Sequence, residues 1–425
     1  MGGVHRGKAT GSHRWSRPVP AMCKARTVPE RPAPSDQGRL SVGFDATPLL
    51  GRPTGVGAFC AGALAGLSVV PVLEVSAFAV SWRRRQAIAA LVPTGVSARQ
   101  RAMPARPLHL AWSAVSFPPV EWFIEGRDVV HGSNFVVPPT RAAARVVTVH
   151  DLTVVLYPEL CHPSTLGFPH LVRRAAAEGA WVHTPSQFVS DQVVAELGID
   201  PSRVRAVHHG IPPLPGPGGD PVPVPLPEGC DRYVLAIGTI EPRKDYPLLV
   251  SAFEELAGDL SDVALVIVGG DGWGSEQFRA SVAASPVRKR IVRAGYLDDR
   301  ALAAALRGAS VLAYPSLYEG FGFPPLQAMA ASVPVVATAA GAVPEVVGDG
   351  ALLVRPADRD GLAAALARVL DGGADIDQLV ARALVRSTQF TWEACAEGLA
   401  ALYRDASLDR PSSAGSPRSR PAGGR

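Results

Sequence analysis

Cysteine is scarce in this chain of 425 residues, and the placement of its cysteines is as informative as their number. The five, Cys23, Cys60, Cys161, Cys230 and Cys395, are odd in number, scattered, and never spaced Cys-x-x-Cys. That argues against a disulfide framework and a cysteine zinc site, and it fits a reducing cytoplasm. There is no His-Glu-x-x-His, and no Asp-x-Asp pair of the kind that holds a divalent ion stands out, so no metal cofactor is expected. Charge is also sparse: 19% charged against 47% hydrophobic residues describes a globular chain, and a net charge of +4, much of it in the tails, does not point to nucleic acid. The longest weakly polar run, Cys60 to Val80, is broken by Pro71 and Glu74 and divides into a Gly/Ala helix and a strand, which excludes a membrane span and leaves peripheral contact with the inner membrane face open. Met1 to Ser41 lacks the apolar centre of a signal peptide, and residues 1–40 read as a disordered extension.

What the chain does have is a strand-helix rhythm, repeated over a length too great for one ordinary core. Val42 to Asp45 reads as a strand, and Pro48 to Gly57 as a turn-rich loop opening a helix. Gly55 and Gly57 lack the third glycine of a dinucleotide fingerprint. Strand-like runs recur at Val75 to Val80, Val129 to His131, Val146 to His150, Trp181 to Thr184 and Val204 to His208, with helical stretches at Ser164 to Gly179 and Gln187 to Leu197. A first domain over 41–211 follows. Residues 212–230 are too rich in proline and glycine for a helix or central strand and read as a stiff linker. The rhythm resumes at Tyr233 and defines a second domain over 231–388, then a helix over 389–405 and a disordered tail over 406–425. The fold class is therefore α/β, two doubly wound Rossmann-like domains.

The stretch from Ala313 to Glu345 carries the densest chemistry. A short apolar strand ends at Tyr314, Glu319 precedes Gly320-Phe321-Gly322-Phe323, and a helix opens near Pro324. Pro334 to Ala337 and Gly341 to Glu345 repeat the strand-loop-helix plan. Beyond the carboxyl ends of such strands, helix N-termini favour an anionic group, so two such turns in succession suggest a nucleotide-diphosphate ligand. Glu319 then serves as an acceptor for sugar hydroxyls. In Gly238-Thr239-Ile-Glu-Pro-Arg243-Lys244, adjacent cations stand where a helix dipole disfavours them, which argues for an anion nearby: an expelled diphosphate gathers negative charge that fixed cations stabilise. Gly269, Gly270, Trp273 and Tyr296, on loops after successive strands, are placed to flank a base. His150, at a strand end, faces the cleft with Asp151 behind it, and His131 is the second choice for a cleft-lining group.

Glu319 through Ala330, followed by Val343-Pro-Glu345-Val-Val-Gly-Asp349, resembles the donor-site signature of retaining family 4 glycosyltransferases (glycosyl transferases group 1), and the likeness extends from about Val42 to Tyr403. The signature has two glutamates eight positions apart, and here the second is Gln327. The resemblance implies a GT-B architecture with a central cleft, and transfer of a hexose from a nucleotide-diphosphate sugar to a glycan or lipid-linked glycan with retention. The diphosphate leaves from the face that the acceptor attacks and takes its proton. It further implies Arg243 and Lys244 on the diphosphate, Glu319 and His150 on the sugar, Gln327 at the ribose with a weaker grip than a carboxylate gives, the loop of Gly55 and Gly57 across the cleft, and a terminal helix crossing back to the first domain. A nucleotide-sugar epimerase or hydrolase on the same scaffold, and a catalytically inactive glycan-binding homologue, are the competing readings.

Overall fold

The computed structural model describes residues 38–51, 54–216 and 224–409. Two parallel sheets organise them. The first has strand order β3-β2-β1-β4-β5-β6-β7, with β1 Leu40–Asp45, β2 Leu73–Phe78, β3 Ser97–Arg99, β4 Val129–Gly132, β5 Ala144–Thr148, β6 Trp181–Thr184 and β7 Val204–Ala206. The second has order β10-β9-β8-β11-β12-β13, with β8 Arg232–Ile237, β9 Val263–Val268, β10 Ile291–Gly295, β11 Val311–Tyr314, β12 Val335–Thr338 and β13 Leu352–Val354. Central strands such as Val-Ala-Leu-Val-Ile-Val of β9 are apolar and buried at all six positions, as a parallel strand covered by helices on both faces requires. In both sheets the order reverses beside the first strand, at β1/β4 and β8/β11, and crevices open at such switch points.

Element bounds differ from the sequence reading in instructive places. β1 starts at Leu40, paired with Leu73, rather than at Val42. Ser164 to Gly179 resolves into a short 3-10 turn and the helix Phe168–Ala177, Pro169 sitting in its first turn where proline is tolerated. β3 and the helix Ala105–Ala114 do not stand out in the sequence. The expected extension over 1–40 lies outside the described residues up to position 37, as does part of the linker, and the tail does so from position 410. Residues 406–408, read as tail, continue the last helix, Trp392–Leu408, and Ala406 is buried.

That last helix closes the core of the first sheet. Thr391 caps it, accepting from Ala394 N at 3.1 Å, and it lies on the helix Gly55–Ser68 along a seam of glycines. A Cβ on Gly62 would stand 2.0 Å from the Trp392 ring, and one on Gly66 2.4 Å from the Trp392 carbonyl, so the close approach depends on both glycines. Tyr403 is fully buried, its hydroxyl 2.7 Å from His131 Nδ1. Among the described residues no helix is long and apolar enough to cross a membrane.

Candidate active site

The loop after β11 and the loop after β8 converge on a buried ionic cluster. Glu319 Oε1 lies 2.6 Å from Lys244 Nζ and Oε2 2.6 Å from Arg243 Nη1. Arg243 is held further by Glu241 at 2.7 Å and by the Tyr318 carbonyl at 2.9 Å, while Lys244 has the Tyr314 hydroxyl at 3.2 Å. Burial pushes the Glu319 carboxyl up, but Arg243 and Lys244 outweigh it and hold the group at about 2. Burial pulls the Lys244 ammonium down, opposed by Glu319. Glu319 is therefore ionised across the physiological range and already has two cationic partners. With Glu241 counted, two carboxylates face two cations, so the cluster is closer to neutral than the isolated Arg-Lys pair of the sequence implies.

Gly238 adjoins Lys244: a Cβ there would stand 3.1 Å from Lys244 Cε, and its φ of +150° suits glycine. Thr239 is exposed beside it, and the Gly270 carbonyl accepts from Ile240 N at 3.0 Å, which keeps the two loops in register. Tyr296 follows β10 and is exposed.

Loops of the first sheet approach from the opposite side. A Cβ on Gly320 would lie 1.8 Å from the His150 carbonyl oxygen, and Ser186 Oγ donates to the Gly320 carbonyl at 2.9 Å. Phe323 stacks near His209 with ring centres 5.7 Å apart, and a Cβ on Gly55 would reach the Phe323 ring at 3.7 Å. His150, Glu319, Gly320, Phe321, Phe323 and Gly55 are thus brought to one crevice. Gly57 lies in the same loop, its N–H donating to Thr54 Oγ1 at 3.2 Å as the first turn of its helix forms. Gly320→Ala is expected to force the two loops apart at about 1–3 kcal/mol, measurable as a lower denaturation midpoint.

Several assignments change. His150 Nε2 hydrogen-bonds the Ser133 carbonyl at 2.9 Å, and Asp151 instead accepts from Thr153 N at 2.9 Å, so a backbone carbonyl and not Asp151 orients the imidazole. His131 is fully buried between Tyr403 and Thr148 and does not line the cleft. Glu345 faces the first domain: its oxygens accept from Gln187 N and Phe188 N, each at 2.8 Å, and one lies 2.7 Å from His208 Nε2, which makes it a clasp on the helix Gln187–Leu197. The helix-end donors are fewer than the pattern implies. In the helix Phe323–Ala330, capped by Gly322 at φ +118°, Pro324 and Pro325 have no N–H, and in the following loop Ala342 N is already bonded to the Glu319 carbonyl at 2.8 Å. Gln327 sits in that helix, buried, with no side-chain hydrogen bond among the described residues.

Sequence reasoning missed His209. Neither ring nitrogen has a partner among the described residues, although the side chain is buried between Phe59 at 4.3 Å, Phe321 at 5.1 Å and Phe323. Its only sequence signal is its place just after β7, in His208-His209-Gly210. The sequence also holds an Asp-x-Asp pair, Asp375 and Asp377, but it opens the surface helix Ala374–Ser387, where Arg368 holds Asp375. Among the described residues no His, Cys, Asp and Glu side chains converge as a metal site.

Residues 224–384 match the family model described as glycosyl transferases group 1. The chain is 29% identical over 273 residues to O-antigen chain mannosyltransferase B of Escherichia coli, covering 63% of this chain and 71% of the relative. It is 32% identical over 248 residues to MMP alpha-(1->4)-mannosyltransferase of Mycolicibacterium hassiacum, where it spans 56% of its own length and 57% of the relative's. Among solved structures it is similar to sucrose-phosphate synthase from Thermosynechococcus elongatus, with TM-score 0.64, 20% identity, and coverage of 86% of this chain and 99% of that one. It is also similar to the Anabaena protein HepE in complex with UDP and glucose, with TM-score 0.63, 16% identity and coverage of 86% and 100%.

Proposed function

We propose that this protein, a glycosyltransferase of GT-B architecture whose second domain is of the group 1 family, moves a hexose from a nucleotide-diphosphate sugar to a hydroxyl of a glycan or lipid-linked glycan, with retention. The observation that carries the reading is the Glu319 carboxylate held between Arg243 and Lys244 at the mouth of a two-domain crevice. A diphosphate bound there meets the same two cations and displaces part of their contact with Glu319. That frees carboxylate oxygen for the hexose hydroxyls while the cations follow the charge growing on the leaving group. Arg243 suits bidentate contact and Lys244 a point contact. His150, fixed through Ser133, presents its other nitrogen to the sugar. Protein cations do the electrostatic work that a metal ion does in other sugar-nucleotide enzymes, so no metal is needed. The mannosyltransferase relatives favour mannose among the hexoses. We place the enzyme in the cytoplasm, its four described cysteines being free thiols.

Thermal unfolding with UDP, GDP and ADP in turn is the test. One of them is expected to raise the midpoint, with about 2.7 kcal/mol of stabilisation at a hundredfold excess over Kd. No shift with any of the three would remove the donor-site assignment. Gln327→Glu restores a two-oxygen acceptor and is expected to tighten binding of the stabilising nucleotide by about tenfold, the worth of one charge-assisted hydrogen bond, as measured by calorimetry.

A further inference from the structure

No acidic residue stands between Glu74 and Glu121, whereas arginine occupies positions 83, 84, 85, 99, 101 and 106. The same segment exposes large apolar side chains that its neighbours do not cover: Trp82 at 60%, Leu110 at 72%, Val115 at 54% and Phe117 at 52%, with Trp122 just beyond at 45%. The pieces are contiguous. Met103 N donates to the Ser81 carbonyl at 3.2 Å, tying the Trp82 turn to the foot of the helix Ala105–Ala114. Trp112 Nε1 donates to the Pro118 carbonyl at 2.9 Å, tying the helix end to the Phe117 loop, whose ring lies 4.9 Å from Trp122. Arg106, His109 and Leu110 also line a cavity of about 400 Å³ between this helix and Phe168–Ala177.

Charge decides what this surface meets. The nearest carboxylates are already engaged: Glu125 by Arg99 and Arg127, Glu178 by Arg145 and Arg174, and Glu121 by the Arg141 and Ala142 N–H groups. Among the described residues Arg83, Arg84, Arg101 and Arg106 have no ion pair. Exposed tryptophan, phenylalanine and leucine interleaved with unpaired arginine, with no acid, match the boundary between lipid headgroups and acyl chains. A nucleic acid would use the arginines but leave Leu110, Val115 and Phe117 in water.

We propose that this face of the first domain docks on an anionic phospholipid bilayer, the arginines on headgroup phosphates and Trp82, Leu110 and Phe117 in the interface. The full chain is expected to co-sediment with phosphatidylcholine vesicles only when they contain phosphatidylglycerol, less so as salt rises. R83E/R84E/R106E should lower partitioning about a hundredfold or more, and L110S/F117S about tenfold. All five positions are exposed, so both variants should keep the native melting midpoint. Equal binding to neutral vesicles, unchanged binding in either variant, or tighter binding to double-stranded DNA than to anionic vesicles would overturn the proposal. So would a wild-type dimer that L110S/F117S splits while vesicle binding stays the same, since the face would then be a contact between copies.

Discussion

Glu319→Ala is expected to cost both fold stability and transfer rate, and the two losses have different origins. In the native protein the Glu319 side chain is 8% exposed, between Lys244 at 10% and Arg243 at 17%. Removing it leaves two buried cations. Arg243 keeps Glu241 and the Tyr318 carbonyl, but among the described residues Lys244 keeps the neutral Tyr314 hydroxyl as its side-chain hydrogen-bond partner and Glu241 as a weaker opposite charge. Taking one partner from a buried ion pair costs about 3–5 kcal/mol, mostly as the penalty of the stranded charge. Lys244 bears most of it, because burial already pulls its ammonium down and Glu319 is the largest opposing influence. The expected result is a fall of about 3 kcal/mol in unfolding free energy.

A second substitution separates the charge effect from the rest. Lys244→Ala in the Glu319→Ala background removes the stranded ammonium, so the double variant should be less destabilised than the sum of the singles, with a coupling of about 1–3 kcal/mol. Transfer behaves otherwise. Loss of the hexose acceptor lowers the rate by about tenfold to a hundredfold, as one charged hydrogen bond is worth, and Lys244→Ala cannot restore it, because it removes a leaving-group cation as well. A saturating nucleoside diphosphate should stabilise Glu319→Ala by more than it stabilises the native protein, since its charge replaces the missing carboxylate. Denaturation with and without nucleotide, beside single-turnover rates, measures all three. A Glu319→Ala protein of native stability and native rate would end both the structural and the functional account of the cluster.

Most strand positions are legible because parallel strands buried on both faces are written as local apolar runs, as in Val263 to Val268, while the order of the strands is not written locally. The helix Ala105–Ala114 is not legible, since it opens after proline without a capping side chain and buries only Leu108 and Trp112. Residue types in the site were legible and their partners were not. Glu319 looked like a lone acceptor because the residues that neutralise it lie about 75 positions earlier on another strand's loop. Glu345 looked like a donor contact because nothing local shows that the amide ends of Gln187–Leu197 come to meet it. Adjacency alone sets Asp151 behind His150, whereas the Ser133 carbonyl that bonds the imidazole reaches it from a neighbouring strand's loop. Local chemistry fixes which groups occur, and strand order fixes which of them touch.

The histidines around Phe59 should make the protein unusually sensitive to mild acid. His131, His183 and His209 are buried with ring centres 6.4, 5.5 and 4.3 Å from Phe59, and each is bonded, if at all, to neutral groups. Burial holds all three well below the usual imidazole value, His183 at about 3, with neighbouring imidazoles adding to the effect. The unfolded chain takes up these protons near pH 6.5 while the folded chain refuses them, so stability is complete above that pH and is lost as pH falls below it. Each group contributes about 1.4 kcal/mol per pH unit, hence roughly 4 kcal/mol per unit for three. Glu319, held at about 2 despite its burial, has the same sign but acts only below the ordinary carboxyl range, and the buried Asp45, raised by burial, has the opposite sign and acts above that range. Between pH 6.5 and 5 the imidazoles lowered by burial, His150 with the other three, outnumber the carboxyls raised by it, Asp45 and Asp245. Against a total stability of about 5–15 kcal/mol, that slope removes roughly 6 kcal/mol by pH 5, enough to unfold a protein at the lower end of that range and to weaken markedly one at the upper end. Urea midpoints at intervals from pH 7.5 to 5 give the slope directly. His183→Asn lowers stability at pH 7.5 by whatever its hydrogen bonds are worth, but a structural role alone leaves the slope untouched. Titration predicts a slope lower by about 1.4 kcal/mol per unit, and a flat native profile over that interval would show that the buried imidazoles do not set the acid limit.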